Sequence, residues 1–358
     1  MTRTDPLADD LDQILLRTQG LWKQLRAQHL FITGGTGLFG RWLLKALLHA
    51  NAIHDLDMRI VVLTRDAAAF ANVCPQLADD PALTLHAGDV KDFDFPRGEY
   101  PYIIHGATTS AHETFRGEDP MKKFDTLVSG TRHVLDFAAQ CNVKRFLFLS
   151  SGVAYGVPPD NMDRIPETFH GAPDTTSLHS ALGQAKRTAE FLTSCYAQQH
   201  GWNNTIARCF SFVGPFLPLD IHYAIGNFIG QALFDDKIVV KGDGLPMRSY
   251  LYMGDLVVWL LTLLLKGGQN EIYNLGSDQA VSIRELAHLV RDTLSPQKEI
   301  AILGQSDLSV GNAVRNIYVP DIRKARQKFG LDVWTSLQDA LRKTGRFYAL
   351  QRERSLVL

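Results

Sequence analysis

The apolar positions change their spacing several times along the chain, and each change marks an element. Leu7, Leu11, Ile14, Leu15, Leu21, Trp22 and Leu25 recur at roughly helical intervals, which predicts an amphipathic lead-in over residues 6–26 that packs on the main body. At His29 the pattern becomes a short continuous run, Leu30-Phe31-Ile32-Thr33, of the kind that forms a buried strand. A glycine-rich turn follows, and helical spacing resumes from Leu38 to Ala50. Further strands are predicted at Arg59 to Thr64, Leu83 to Leu85, Tyr102 to His105 and Arg145 to Ser150, the last preceded by a helix from Met121 to Gln140. Strands alternating with helices predict a parallel sheet covered on both faces.

Beyond Ser151 the pattern loosens. Pro158, Pro159, Pro166 and Pro173 interrupt a long loop of the kind that covers a site, ahead of a helix from about Ser177 to His200 and a strand at Thr205 to Cys209. The last third mixes short strands (Ile238 to Val240, Ile272 to Leu275) with helices near 255–266, 282–294 and 335–347. Its apolar run from Leu256 to Leu265 is well short of the ~20 residues that cross a bilayer and predicts a buried helix.

Composition narrows the class. The 358 residues are 45% hydrophobic and 21% charged, which fits a soluble globular chain of one large or two ordinary domains and excludes fibrous and disordered classes. Lys and Arg number 37 against 38 Asp and Glu, a net charge of -1, so no global field favours a nucleic-acid partner. Cys74, Cys141, Cys195 and Cys209 lie far apart with no Cys-x-x-Cys, as expected in a reducing compartment. Met1 to Asp10 is acidic where a signal peptide needs a basic and then an apolar stretch, so the expected location is the cytoplasm, with no membrane partner. His105, His112, His170 and His179 lack metal-ligand spacing, and no metal is expected.

The stretch Thr33-Gly34-Gly35-Thr36-Gly37-Leu38-Phe39-Gly40 stands between a predicted strand and a predicted helix. Glycines there let the backbone turn tightly and approach a pyrophosphate, whose charge meets the free N–H groups and dipole of the helix start. A Walker A loop is excluded, because Arg41-Trp42 follow Gly40 where that loop needs Lys and then Ser or Thr. The expected ligand is a dinucleotide. At the end of the second strand, where an acidic residue would hold the ribose 2′-hydroxyl of NAD, the chain has Thr64-Arg65. Arg65 suits the 2′-phosphate of NADP, although neighbouring Asp66 and ordinary surface solvation leave NAD open.

The spacing Gly34-x-x-Gly37-x-x-Gly40 is accompanied by Gly88-Asp89-Val90, Ile104-His105-Gly106-Ala107, Gly130-Thr131, Ser150-Ser151 ahead of Tyr155-Gly156, Lys186, and Val213-Gly214-Pro215. With these marks the chain from residue 28 onward resembles the extended short-chain dehydrogenase/reductase family, and within it the sugar-nucleotide epimerases and dehydratases. The resemblance implies an α/β fold, a Rossmann-type doubly wound parallel sheet with a smaller C-terminal α/β substrate-binding domain. The division expected from it is a helical extension over 1–27, an NAD(P)-binding domain over 28–212 with about 250–275, and a substrate-binding domain over 213–249 and 276–358. Dinucleotide contacts are implied for Gly34, Thr36, Gly37, Leu38, Phe39 and Gly40, for Arg65, for Asp89 (at the adenine) and Val90, and for Gly106, Ala107 and Lys186. The implied substrate is a nucleotide-diphosphate sugar, met by Ser151, Gly152 and the phosphate-binding candidates Arg248 and Arg315. Arg248 has a competing structural reading, as a partner of Asp255. Relatives dimerise through helices matching 121–140 and 177–200, which implies a homodimer.

In such enzymes a Ser or Thr, a Tyr and a Lys carry the hydride chemistry, the lysine binding the nicotinamide ribose and lowering the tyrosine pKa. Ser151 and Lys186 match two of them. The tyrosine belongs one helical turn before the lysine, and Leu182 stands there, without a group that titrates. The Asp-Glu pair that the 4,6-dehydratases carry after the Ser or Thr is replaced by Gly152-Val153, while Leu127 and Ser211 stand where many relatives have asparagines. The expectation is an NAD(P)-dependent nucleotide-sugar enzyme of epimerase or dehydratase type with turnover impaired at Leu182. Two alternatives stay open: a catalytically silent dinucleotide-binding or nucleotide-sugar-binding protein, and an engineered inactive variant.

Overall fold

The computed structural model describes residues 5–109, 117–221, 223–304 and 316–356, with side chains as far as 352. The chain forms two compact units. The first comprises Met1–Gly156, Ala172–Cys209 and Val257–Tyr273, the second Val157–Gly171, Phe210–Leu256 and Asn274–Leu358.

The first unit opens with α1 (Ala8–Arg17), which buries Leu11, Ile14 and Leu15, and a 3-10 turn (Trp22–Leu25). Then come β1 (His29–Thr33), α2 (Leu38–His54), β2 (Arg59–Thr64), the short α3 (Ala67–Val73) and α4 (Pro75–Ala78), β3 (Leu83–Ala87) and β4 (Tyr102–His105). After these come α5 (Pro120–Ala138), β5 (Arg145–Ser151), α6 (Ala181–His200) and β6 (Asn203–Cys209). The lead-in helix packs on α2, where Lys45 Nζ meets the Asp5 carboxylate at 2.8 Å. α2 runs to His54, beyond the Ala50 that periodicity indicates, because no breaker intervenes before Asp55, which caps the end in the left-handed region at φ 46°. α5 starts on Pro120 with Asp119 as its cap, its carboxylate accepting from the Met121 N–H.

Seven strands form one sheet in the order β3-β2-β1-β4-β5-β6 followed by the strand Glu271–Leu275, and the registers from β3 across to β6 are parallel. The order reverses beside β1, which places the carboxyl ends of β1 and β4 at the switch point where open α/β sheets take their ligands. A core of Phe31, Ile103, Phe146, Phe148, Val134 and Phe137 is completed by Ala189 and Ala197 of α6. The pair α5 and α6 packs closely, as small residues on α6 allow.

The second unit contributes β7 (Phe212–Val213), α7 (Ala224–Phe234), β8 (Lys237–Val240), β9 (Met247–Arg248), β10 (Leu251–Tyr252), α8 (Met253–Lys266) and β11, the strand Glu271–Leu275 already named; α8 and β11 straddle the boundary between units. Next come β12 (Val281–Ser282), α9 (Ile283–Leu294), β13 (Glu299–Ile302), β14 (Ile317–Tyr318), α10 (Arg323–Phe329) and α11 (Leu337–Leu356). α7 escapes the sequence pattern because Gly226 and Gly230 interrupt its apolar face. Both are there for close packing, since a Cβ on Gly226 would lie 2.4 Å from the Pro218 carbonyl oxygen. The run Leu256 to Leu265 is a buried helix as predicted, and no described helix is long and apolar enough to cross a membrane.

Candidate functional site

The turn after β1 is shaped by its glycines. Gly34 sits at φ 75°, and a Cβ there would lie 2.6 Å from the backbone carbon and oxygen of Gly106, so the turn and the end of β4 touch main chain to main chain. A Cβ on Gly40 would fall 2.2 Å from the Gly35 carbonyl oxygen. Gly37 differs: a Cβ there would meet only the Gly34 carbonyl oxygen, at 3.4 Å. Gly37 is the N-cap of α2 in extended geometry, and no side chain caps that end. The first turn of α2, with Leu38 and Phe39 half-buried beside it, thus presents backbone N–H groups to whatever approaches, as a pyrophosphate site requires.

β4 delivers a buried relay to the same place. The imidazole of His105, 2% exposed, lies 2.7 Å from Thr33 Oγ1 through Nδ1 and 3.0 Å from Thr131 Oγ1 through Nε2. Thr33 Oγ1 also accepts the Ala107 N–H at 3.1 Å. Burial, and then the Lys186 charge, push the His105 pKa down to about 3, so the ring is neutral. The relay ties the glycine turn, Gly106-Ala107 and α5 together.

Ser151 ends β5 and accepts the Val153 N–H at 3.3 Å, capping a 3-10 turn over Gly152–Tyr155. α6 is clamped to this turn: a Cβ on Gly183 would lie 2.9 Å from the Val153 carbonyl oxygen and 2.6 Å from Pro173. That packing sets the start of α6, with half-buried Leu182 and then Lys186, against the segment after Ser151. Lys186, 5% exposed, donates from Nζ to the Leu149 carbonyl oxygen at 2.7 Å and lies 4.8 Å from the Phe148 ring centroid. Leu149 is its one hydrogen-bond acceptor among the described residues, so an ammonium with three donors keeps capacity for a ligand. Burial lowers its pKa to about 8.

Sequence reasoning missed a group behind this lysine. Glu190, one helical turn further along α6, is 6% exposed and accepts from Ser150 Oγ at 2.5 Å, from Arg208 Nε at 2.9 Å and from Arg208 Nη2 at 2.6 Å. The register that pairs Ser150 with Arg208 brings both donors to it. The Arg208 guanidinium also covers the ring of Tyr155 at 4.2 Å and hydrogen-bonds its phenol. Tyr155 is 0% exposed. A charged residue inside the strand Thr205-Ile206-Ala207-Arg208-Cys209 was the available signal, together with the Lys186-Glu190 spacing.

The remaining candidates sit on other elements. Arg65 is exposed at the end of β2, and Asp66 serves as the cap of α3, accepting the Ala69 N–H. Asp89 is half-buried in the loop after β3 and accepts the Lys91 N–H at 3.0 Å, while the Val90 side chain faces Gly130 of α5. Arg248 belongs to the second unit, half-buried on β9 between β12 and β14, with Nη1 donating to the Met247 carbonyl oxygen at 2.8 Å. Asp255 accepts from the backbone N–H groups of Trp334 and Thr335 and from the Thr335 hydroxyl. Arg315 and His112 lie outside the described residues.

A glycine-edged, uncapped helix start at the switch point of a parallel sheet defines a Rossmann-type dinucleotide-binding fold. The chain belongs to the NAD dependent epimerase/dehydratase family, whose model matches residues 30–276. It is similar to UDP-glucuronic acid decarboxylase 2 of Arabidopsis thaliana, 29% identical over 310 residues that make up 87% of this chain and 66% of that protein. The chain therefore spans just under two thirds of that relative's length; for UDP-glucuronic acid decarboxylase 6 of the same plant, at 28% identity, it spans 86%. Among solved structures it resembles UDP-glucose 4-epimerase of Thermotoga maritima with UDP-glucose, at TM-score 0.75 and 23% identity, covering 91% of this chain and all of that one. It also resembles a dTDP-glucose 4,6-dehydratase of Streptomyces venezuelae with NAD bound, at TM-score 0.74 and 23% identity, covering 91% and 98%. At this identity the structures speak for the fold.

Proposed function

We propose that this chain binds an NAD-type dinucleotide at the turn Gly34 to Gly40 and acts on a nucleotide-diphosphate sugar by moving hydride at a sugar carbon. The single observation that carries the reading is Gly37, which has room for a side chain within the protein and yet stands at an uncapped helix start. The relatives' names support the substrate class, since they act on or hold UDP- and dTDP-sugars. When bound, such a dinucleotide would supply a reversible hydride acceptor.

The chain's own residues do the rest. Lys186 offers its free N–H donors to the nicotinamide ribose, and Ser151 orients the sugar hydroxyl. Leu182 neither donates nor accepts a proton, and Tyr155 is buried under Arg208 with its phenol bonded there, so it does not stand in. Proton exchange is left to Ser151, to Lys186 or to water, which predicts slow turnover. Arg65, exposed and clear of the capping role taken by Asp66, favours NADP over NAD. Asp89 and Val90 border the adenine, Gly152 borders the sugar, and Arg248 holds the diphosphate, with Arg315 assisting. A homodimer through α5 and α6 completes the reading.

The test incubates the chain and a Leu182→Tyr variant with NAD or NADP and UDP-, dTDP-, CDP- and GDP-sugars, following cofactor absorbance and product mass. Both proteins should bind the same sugar. Restoring the phenol should raise turnover by ~10²- to 10⁴-fold, the usual contribution of a positioned acid/base. Binding with no turnover in either protein would mark a catalytically silent binder, and no binding of any nucleotide sugar would overturn the substrate reading.

A further inference from the structure

Ser151 opens a turn whose own hydrogen bonds are long. Within the 3-10 turn Gly152–Tyr155 the Val153 N–H reaches Ser151 Oγ at 3.3 Å, and the Gly156 N–H reaches the Val153 carbonyl oxygen at 3.1 Å. The shorter bonds are made just outside it. Ser150, immediately before Ser151, donates its hydroxyl to Glu190 Oε1 at 2.5 Å. Arg208 donates to both oxygens of that carboxylate, at 2.9 and 2.6 Å, and lays its guanidinium 4.2 Å from the ring centroid of Tyr155, the last residue of the turn. One buried ion pair thus grips the residue before Ser151 and the residue that ends its turn. We propose that Arg208 and Glu190 are positioning residues for Ser151, fixing both ends of the turn that presents it to the sugar.

The proposal rests on the reading that Ser151 meets a sugar hydroxyl. Stability alone does not ask for charge at this place, since apolar side chains of similar volume often replace a buried pair without loss. A bidentate pair, however, fixes distance and orientation together. Strand register supplies the geometry, because Ser150 stands opposite Arg208 where β5 pairs with β6. α6 adds a hold on the middle of the turn, where Arg187 Nη1 donates to the Ala154 carbonyl oxygen at 3.2 Å. The glycine turn after β1 is set by other atoms, Gly106 against Gly34 and Gly35 against Gly40. Disturbing the pair should therefore affect the sugar side of the site and spare the dinucleotide side.

Calorimetry on the full chain tests this with NAD, with UDP-, dTDP-, CDP- and GDP-glucose in the presence of NAD, and with the matching nucleoside diphosphates. Arg208→Lys keeps the charge and loses the planar fork that meets both carboxylate oxygens and the ring. It should lose roughly three- to tenfold in affinity for the sugar nucleotide that the wild type binds, and less than about twofold for NAD and for the diphosphate. Ser151→Ala should show the same selective loss, and Arg208→Lys combined with Ser151→Ala should lose no more than either alone. Should Arg208→Lys fail to fold, Glu190→Leu with Arg208→Met removes both charges, is expected to fold, and should show the same loss. A folded variant with wild-type affinities and only a changed melting temperature would overturn the proposal. So would losses that multiply when combined with Ser151→Ala, or equal losses for all three ligands. A wild type that binds NAD and none of the sugar nucleotides would instead overturn the nucleotide-sugar reading.

Discussion

Three glycines of one turn should fail in different ways when given a methyl group, and the contrast tests whether the turn serves the fold or a ligand. In Gly34→Ala the backbone sits at φ 75°, which costs an alanine ~1 to 2 kcal/mol, and the new Cβ lies 2.6 Å from main-chain atoms of Gly106 that cannot swing aside. Overpacking of that kind adds ~1 to 3 kcal/mol, for a total of roughly 2 to 5 kcal/mol. Gly40→Ala meets the Gly35 carbonyl at 2.2 Å and belongs in the same range. Gly37→Ala costs little: its backbone is extended, its nearest neighbour is 3.4 Å away, and alanine at an N-cap loses at most ~1 kcal/mol. Thermal unfolding should therefore fall by about 5 °C or more for Gly34→Ala and Gly40→Ala, and by no more than about 2 °C for Gly37→Ala. Calorimetry with NAD and NADP should show the reverse for Gly37→Ala, a folded protein whose affinity has dropped at least ~10-fold because the methyl group occupies the path of the pyrophosphate. Were Gly37→Ala to lose stability and keep full affinity, the turn would be structural and the ligand would bind elsewhere.

His105 gives a pH dependence with a definite sign. Its pKa moves from an ordinary 6.5 to about 3, so the unfolded chain takes up a proton that the folded one refuses; stability is full above about pH 6.5 and falls as pH drops toward 3. Between pH 6.5 and 5 the loss should reach up to about 2 kcal/mol, read as a lower urea midpoint, and His105→Gln should remove that part of the slope. An unchanged slope would mean another group titrates. Arg248→Ala should weaken UDP or dTDP by roughly ten- to a hundredfold while NAD affinity holds, whereas a fall in melting temperature alone would return Arg248 to a structural role.

The parallel sheet, the glycine turn and the positions of Ser151, Leu182 and Lys186 are legible in the linear order of residues because they rest on local rules. Strand and helix periods, the residue types that tolerate a tight turn, and the one-turn spacing between positions 182 and 186 all act within a few residues of each other. The buried leucine-rich run and the lead-in helix are readable for the same reason. What lies outside that reach came from strand register and helix packing. Ser150 and Arg208 become neighbours through the pairing of β5 with β6, and Glu190 meets them only when α6 lies on those strands. Tyr155, an available phenol by sequence, is closed off by the guanidinium of a residue far along the chain. Gly34, Gly37 and Gly40 look alike in a motif, yet only the folded backbone separates the two where a side chain would collide with main chain from Gly37, where it would not, because that distinction is set by which atoms stand within van der Waals reach.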